Sequence, residues 1–523
     1  MTVIVNEPAA ASGSGQQLPS SRRWLALTVL CVSLLIVTLD NTVLNVVLPT
    51  LVRVLNATDT QLQWIVDAYV IVFAGLLLVA GSLADRVGRK RTFLVGLVLF
   101  AAGSTWAAFS GSVGMLIAAR ASMGIGGALI MPSTLAIITQ MFTVRAERQR
   151  AIGFWAGTSG LGVALGPIIG GLLLAHFWWG SVFLINVPIA AVGLVFALPL
   201  VPDSKNPRAA APDLAGALLS VAGLGLLVWA IIEAPVRGWS SALVIAAGAT
   251  GLTVLAGFAW WERITSHPML NLEFFRHRAF SAAISSIGLA TFGLFGALFV
   301  LTQFLQFDLG YTALQAGVRI LPAAGAIAVV APLSAALQRT IGTKLTAAAG
   351  LLIVGAGLWQ ITLAAAPVYS DTLAGMVMLG IGAGLAIPAA TASVMGSVPT
   401  EHTGVGSATN GAVLQVGGAL GVAVIGSLLA TRYSDRMGAA LAPHHVPPAY
   451  MHLIQGSVGA ALELAARVGG ALGAELAHVA RTAFVSGMDL GLATGAGVVI
   501  AGGLLALAVL PGRPRRRDRS GQQ

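Results

Sequence analysis

GSLADRVGRKRT, Gly81 to Thr92, stands between two apolar runs at about 61–83 and 91–110. Each run approaches or reaches the roughly 20 apolar residues that a helix needs to cross hydrocarbon. So short a link makes the two helices antiparallel neighbours. The link carries one acid, Asp85, among four bases, Arg86, Arg89, Lys90 and Arg91. Charge of this density belongs in water, on the side of a membrane where Lys and Arg accumulate. Ordinary topological charge does not call for Gly81, Asp85 and Gly88 at these spacings. The acid can meet the positive N-terminus of a neighbouring helix, and Arg89 can pair with an acid nearby. Contacts of that kind can latch one arrangement of helix bundles and break when the bundles rock.

Outward from this loop the same pattern repeats. Apolar runs long enough to span occur at about 24–49, 61–83, 91–110, 113–137, 151–175, 181–202, 213–235, 241–261, 280–305, 313–337, 344–365, 372–397, 405–430 and 483–510. They are continuous, unlike the ten-residue alternating strands of a barrel. The chain of 523 residues is 57% hydrophobic and 9% charged, whereas a soluble domain carries about 25% charge. Its 64 glycines suit helices that approach closely in lipid. Cys31 is alone, and the eight histidines form no HExxH-like pair, so neither a disulfide framework nor a metal site is expected.

The net charge of +10 is topological. With the N-terminus inside, 21 of the 29 Lys and Arg fall in the cytoplasmic loops and tails, including Arg22, Arg23, Arg145, Arg208, Lys344 and five arginines between Arg513 and Arg519. Six fall outside (Arg53, Arg237, Arg432, Arg436, Arg467 and Arg481), and Arg120 and Arg319 lie within spans. This bias fixes orientation and excludes a nucleic-acid footprint. The basic tail is expected against anionic lipid.

An internal repeat divides the chain. DRVGRK (85–90) is echoed by RTIGTK (339–344), aligning Gly88 with Gly342 and Lys90 with Lys344. GPIIGG (166–171) is echoed by GVAVIG (421–426). The expectation is an all-α integral membrane protein with fourteen transmembrane helices: two six-helix pseudo-repeat bundles plus two inserted central helices. Its parts are a cytoplasmic tail (1–23), a first bundle (24–202), a linker with two additional helices (203–262), a cytoplasmic loop (263–279), a second bundle (280–510) and a basic tail (511–523). The stretch 431–482 reads as an extracellular loop with helix-compatible segments, an external cap lying at the membrane interface. Two such bundles with a site between them make an alternating-access design.

Polar residues inside the spans mark the candidate site, because a charge there costs at least about 2.5–3.5 kcal/mol and normally faces a cavity or a partner. Asp40 lies roughly 24 Å along span 1, and Asp67 and Arg120 roughly 9–11 Å into spans 2 and 4 from the other side. All three therefore share a depth in the outer half of the first bundle. An arginine between two acids favours their charged forms, and dry surroundings favour the neutral ones. Proton binding could then displace the arginine, and substrate the proton; Asp40 is the leading proton or cation site with Arg120 as its electrostatic partner, and Asp67 is second. Asn41, Tyr69, Asn410, Gln415 and Asp489 are weaker cavity candidates. In span 5, Gly162, Gly166 and Gly170 form a GxxxGxxxG face, and Pro167 invites a kink. The expected result is a tight, bent contact between the bundles.

GSLADRVGRKRT resembles the loop signature of the major facilitator superfamily, G-x-L-A-D-R-x-G-R-K-x-x-L, with Phe93 in place of the last Leu. Gly153, Gly162, Gly166, Pro167, Gly170 and Gly171 resemble the span-5 signature of its exporters. Leu116 to Ala128 resembles the family's span-4 pattern through Arg120, Gly124 and Gly126, but Met123 replaces the usual Gln. TLDNTVLNVVLP (38–49), WIVDAYVI (64–71) and TSHPMLNLEFFRHRAF (265–280) look like the fourteen-span drug:proton antiporters, so the resemblance covers essentially the whole chain. It implies a proton role for Arg120 and its neighbours, and proton-coupled export of amphipathic drugs or other hydrophobic small molecules. The implied setting is the bacterial inner membrane, with both termini cytoplasmic and the protein monomeric in lipid. The alternative is an exporter or flippase of an endogenous lipid, metabolite or self-made antibiotic. No GxxxxGK[ST] occurs, and an enzyme or receptor would need features that the sequence does not offer. No cofactor is expected, the driving force being the proton gradient.

Overall fold

The computed structural model of the chain describes residues 19–205, 211–363, 368–398, 403–443 and 446–509. The polar tail before Pro19, Arg208 and the basic tail after Val509 fall outside them. The described residues form helices joined by short turns. In order these are α1 (Ser20–Leu55), α2 (Asp59–Val87), α3 (Arg89–Ala108), α4 (Val113–Met141), α5 (Arg145–His176), α6 (Ser181–Leu184), α7 (Asn186–Leu200), α8 (Leu214–Arg237) and α9 (Ala242–Ile264). A short 3-10 turn, Leu272–Arg276, leads to α10 (Arg278–Gln303), which ends in a π-helical turn, Phe304–Asp308. Then follow α11 (Ala313–Ile341), α12 (Thr343–Thr362), α13 (Tyr369–Ser397), α14 (Thr403–Leu441), α15 (Pro448–Gly456), α16 (Val458–Val468) and α17 (Gly470–Val509). Among the described residues fourteen helical segments are long and apolar enough to cross a membrane, α6 and α7 together making the sixth. This is the expected number.

The repeat is written into the helix ends. Thr58 and Thr312 each open a helix, α2 and α11, with a capping box to Gln61 and Gln315. Reciprocal bonds of this kind satisfy backbone donors that a helix start leaves open. Gly88 and Gly342 close the same two helices with φ of 125° and 92°, a backbone region that favours glycine. The packing repeats as well. α1 lies against α5, and α2 and α3 against α4; correspondingly α10 lies against α14, and α11 and α12 against α13.

We call the end where α1 begins the base and the opposite end the crown. The two bundles touch through α2 with α14 and through α5 with α11, pairs related by the repeat. Toward the crown the contact is close. Ser427 donates to Gln63 Oε1 at 3.1 Å, and Gln306 Nε2 donates to the Val46 carbonyl at 3.1 Å. Toward the base it loosens: Gly153, Gly157 and Gly160 of α5 and Gly325 of α11 have open space where a Cβ would stand. α8 covers the α2–α14 seam, burying Leu224, Val228 and Ile232 with Ile71 and Ala423, and α9 packs on its outer side.

The stretch 431–482 is the expected helical cap, and the spans on either side of it run further than their apolar runs. α14 runs on to Leu441 and α17 already starts at Gly470, with α15 and α16 between them. The reason is packing. Tyr433 is fully buried and donates to the Ile454 carbonyl at 2.8 Å. Gly459 of α16 sits where a Cβ would lie 2.6 Å from Val52 of α1 and 2.8 Å from Phe307. Thus α16 turns an apolar face into the protein and forms a cap over the crown.

Candidate functional site

Arg120 is the largest fully buried side chain among the described residues. It sits on α4, where Gly124 and Gly127 let α2 approach: a Cβ at Gly124 would lie 2.7 Å from the Tyr69 carbonyl, and one at Gly127 2.8 Å from the Tyr69 hydroxyl. The guanidinium is held on three sides. Nη1 forms an ion pair with Asp40 Oδ2 of α1. Nε donates to the Ile65 carbonyl at 3.1 Å. The Tyr69 ring lies 4.4 Å below its centre, a cation–π contact that gains strength in a dry site. Asp40, 2% exposed, accepts a second bond at Oδ1 from Asn186 Nδ2 of α7 at 3.2 Å, and the same nitrogen reaches Ser104 Oγ of α3 at 2.9 Å. Five helices therefore converge on one buried ion pair. Asn41, the next residue along α1, donates to the Val37 carbonyl at 3.2 Å.

The structure corrects one expectation. Arg120 does not lie between two acids. It takes Asp40, the partner expected for it, while Asp67 is bonded to neither. On α2, Ile65 and Tyr69 share the face toward α4. Asp67 is two residues away from each, and a two-residue step turns a helix by about 200°. Its side chain belongs to the face that carries Gln63 and Ile71 to α14. It is fully buried, and both of its oxygens lack hydrogen-bond partners.

The sequence pattern does not single out Asn186 or Ser104. Asn186 opens the apolar run NVPIAAVGLVFALPL, and a polar residue at a helix start reads as an ordinary boundary. Met123, which stands where the family usually has Gln, is fully buried, and Ser104 lies 3.9 Å from its sulfur.

A small, partly open cavity lies between the bundles. Thr42 and Asn45 of α1, Pro167 of α5, Leu298 and Thr302 of α10, and Ile320 of α11 are among its walls. They are chiefly apolar with a few hydroxyl and amide groups, the usual character of a small-molecule site. Asp40 is two residues from Thr42 on the same helix, so α1 joins the ion pair to the cavity wall. Of the weaker candidates, half-buried Asn410 accepts from Thr391 at 3.1 Å and ties α14 to α13. Gln415 and Asp489 are half-buried and are not among the cavity's walls.

The glycine face of α5 is corrected as well. Gly162, Gly166 and Gly170 face α1 of their own bundle, where Cβ atoms would strike Thr38, Thr42 and Val43. The Thr42 hydroxyl donates to the Gly162 carbonyl at 3.2 Å. The contact between bundles falls to the neighbouring positions: Gly171 meets the Leu314 backbone, and the Pro167 carbonyl meets Gly317. The reason is geometric, since residues at four-residue spacing share one face and Gly171 lies about 100° round from Gly170. A Cβ on Gly153 would meet nothing within 4 Å beyond its own helix.

At the base, Arg89 donates to Asp85 at 2.7 Å, to the Ala136 carbonyl at 3.3 Å and to Gln140 Oε1 at 3.0 Å. Lys90 reaches the Leu198 carbonyl at 2.6 Å. These bonds all stay within the first bundle. A Cβ on Gly81 would come only to 3.9 Å from Pro132, and Arg86 is exposed.

Residues 30–422 match the model of the Major Facilitator Superfamily. The chain is 36% identical over 420 residues to the multidrug resistance protein Stp of Mycobacterium tuberculosis, covering 80% of this chain and 78% of that protein. It is 32% identical over 523 residues to the tetracenomycin C resistance and export protein of Streptomyces glaucescens, covering 98% and 96%. Its fold is similar to the crystal structure of a bacterial homologue of the human lysosomal transporter Spinster, inward-facing and unoccupied, with a TM-score of 0.66, 17% identity and coverage of 94% and 98%. With its fourteen spans, its repeated bundles and the DRVGRK loop between α2 and α3, the chain belongs to the major facilitator superfamily of membrane transporters.

Proposed function

We propose that the chain is a proton-coupled exporter of amphipathic drugs in the bacterial inner membrane, working by alternating access as a monomer in lipid. The observation that carries this reading is the buried Asp40–Arg120 pair on the helix that also walls the cavity. An ion pair that no water reaches is retained at a cost, which marks it as functional. The names of the relatives, multidrug resistance and antibiotic export, favour drugs leaving over nutrients entering.

The base, with its Lys- and Arg-rich loops, faces the cytoplasm, so the closed crown and loosened base make this conformation inward-open. The bundles are those of residues 24–202 and 280–510, and they rock about the cavity. A proton reaching Asp40 from outside cancels its charge and frees Arg120, and the change in α1 alters the cavity wall that holds the drug. Asp67 is the second proton-exchanging acid, since an ionised carboxylate without a partner is costly in a dry seam. The Asp85–Arg89 cluster, confined to one bundle here, engages the second bundle when the base closes and latches the outward-open state.

The test is ethidium efflux from cells expressing the chain, with and without a protonophore, beside Asp40→Asn and Asp67→Asn. Loss of efflux with the protonophore and with both variants, at normal expression, is the expected result. Efflux from Asp40→Asn at the wild-type rate would remove the ion pair from the coupling path.

A further inference from the structure

One face of α2 carries a polar stripe. Asp59, Gln63 and Asp67 follow at four-residue steps, each about 6 Å of helix rise. They are 4%, 0% and 0% exposed. Gln63 meets Gly426 and Ser427 of α14, and Ile71, one step further on, packs with Ala423. The stripe therefore runs down the seam between the bundles. Both oxygens of Asp67 and Nε2 of Gln63 have no hydrogen-bond partner, and the polar group beside the Asp59 carboxylate is the Ser457 hydroxyl. Buried polar groups are nearly always paired, and unpaired acids inside a membrane bundle call for a function.

The crown end of the stripe is roofed by the second bundle. Ser457, at the start of α16, stands beside Asp59. Tyr433 of α14 is the titratable group facing Asp59. On the neighbouring α8, Arg237 and Glu233 pair with each other at 2.9 Å. Asp59 belongs to the first bundle and its roof to the second, so parting the crown uncovers Asp59 first.

We infer that Asp59 is the external proton-loading residue that feeds Asp67 along this face of α2. With the crown parted, the Asp59 carboxylate takes one proton from the outside water. Water admitted by the parted crown and held by the Gln63 amide carries that proton to the Asp67 carboxylate, about 12 Å further along the helix, and Asp59 returns to its ionised form. Closure of α14–α16 over the stripe then keeps the proton from returning outward. The inference rests on the reading of Asp67 as a proton-exchanging acid.

The experiment measures ethidium efflux against external pH at clamped internal pH, for wild type, Asp59→Asn, Asp59→Glu and Asp67→Asn. Asp59→Asn is expected to need about tenfold more external protons for half-maximal efflux, less than the ~10²–10⁴ of a general acid–base group because water still reaches Asp67 slowly. Its rate at acid saturation should approach that of wild type, and Asp59→Glu should restore the profile. A profile identical to wild type, or one lowered equally at every pH, overturns the inference. Proton-driven efflux surviving in Asp67→Asn overturns the reading of Asp67 and the route with it. Loss in Asp67→Asn beside a wild-type profile in Asp59→Asn overturns the route alone.

Discussion

Asp40→Ala strands a guanidinium that is 0% exposed. Removing one partner of a buried pair destabilises by about 3–5 kcal/mol, because the remaining charge keeps its desolvation cost without its counter-ion. Arg120 retains the Ile65 carbonyl at 3.1 Å and the Tyr69 ring at 4.4 Å. A hydrogen bond from a charged group contributes about 1.5–3 kcal/mol, so the loss should sit near the lower end, about 3 kcal/mol. Asp40→Ala with Arg120→Met removes both charges. A buried pair replaced by apolar side chains is often nearly neutral, so the double variant should return to within about 1.5 kcal/mol of wild type. Equilibrium unfolding in mixed SDS micelles, followed by circular dichroism, reads the two values, and ethidium efflux should be lost in both variants. A double variant as unstable as the single, or a single variant as stable as wild type, would refute the idea that an uncompensated charge governs this site.

Gly166→Leu should abolish efflux and lower stability by about 1–3 kcal/mol, the usual cost of overpacking. Its Cβ would strike the Thr42 hydroxyl and come within 3.1 Å of the Val43 nitrogen; a thermal melt and efflux unchanged from wild type would sink this. Gly317→Leu puts a side chain against the Pro167 carbonyl and should hold the crown apart. Labelling of a cysteine introduced at Ser457, measured from outside, should then rise, and unchanged labelling would count against the crown contact as the outer gate. Asp85→Asn should slow ethidium exchange several-fold while leaving ethidium binding in detergent intact. Wild-type turnover would dispose of the latch.

Much of the fold was legible because membrane insertion is decided locally. Each run of about 20 apolar residues must satisfy its own backbone in lipid, so counting runs counts helices. The Gly88 and Gly342 echoes are local too, since each marks a helix end whose backbone conformation favours glycine. The ends of the spans that flank 431–482 were not legible, because Arg432, Arg436 and Arg481 look like loop charge. Their continuation as helix depends on contacts such as Tyr433 with Ile454, more than twenty residues apart.

The depth of Asp40, Asp67 and Arg120 could be worked from helix rise alone, and it brought them to one level of one bundle. Rotation could not be worked that way. A few degrees per residue, summed over a span, decides which face meets which helix, and those angles are set by packing. Only the tertiary structure therefore left Asp67 out of the expected Asp40–Arg120 pair, added Asn186, and turned Asp67 toward α14. It likewise aimed the three glycines of α5 at α1 and left Gly171 and Pro167 to meet α11. The sequence by itself determined which segments cross the membrane, where the charges lie along them and how the halves repeat, because those follow from composition and spacing. Which charges are partners, and which stand alone at the seam, is a property of helix rotation and close packing that no single span contains.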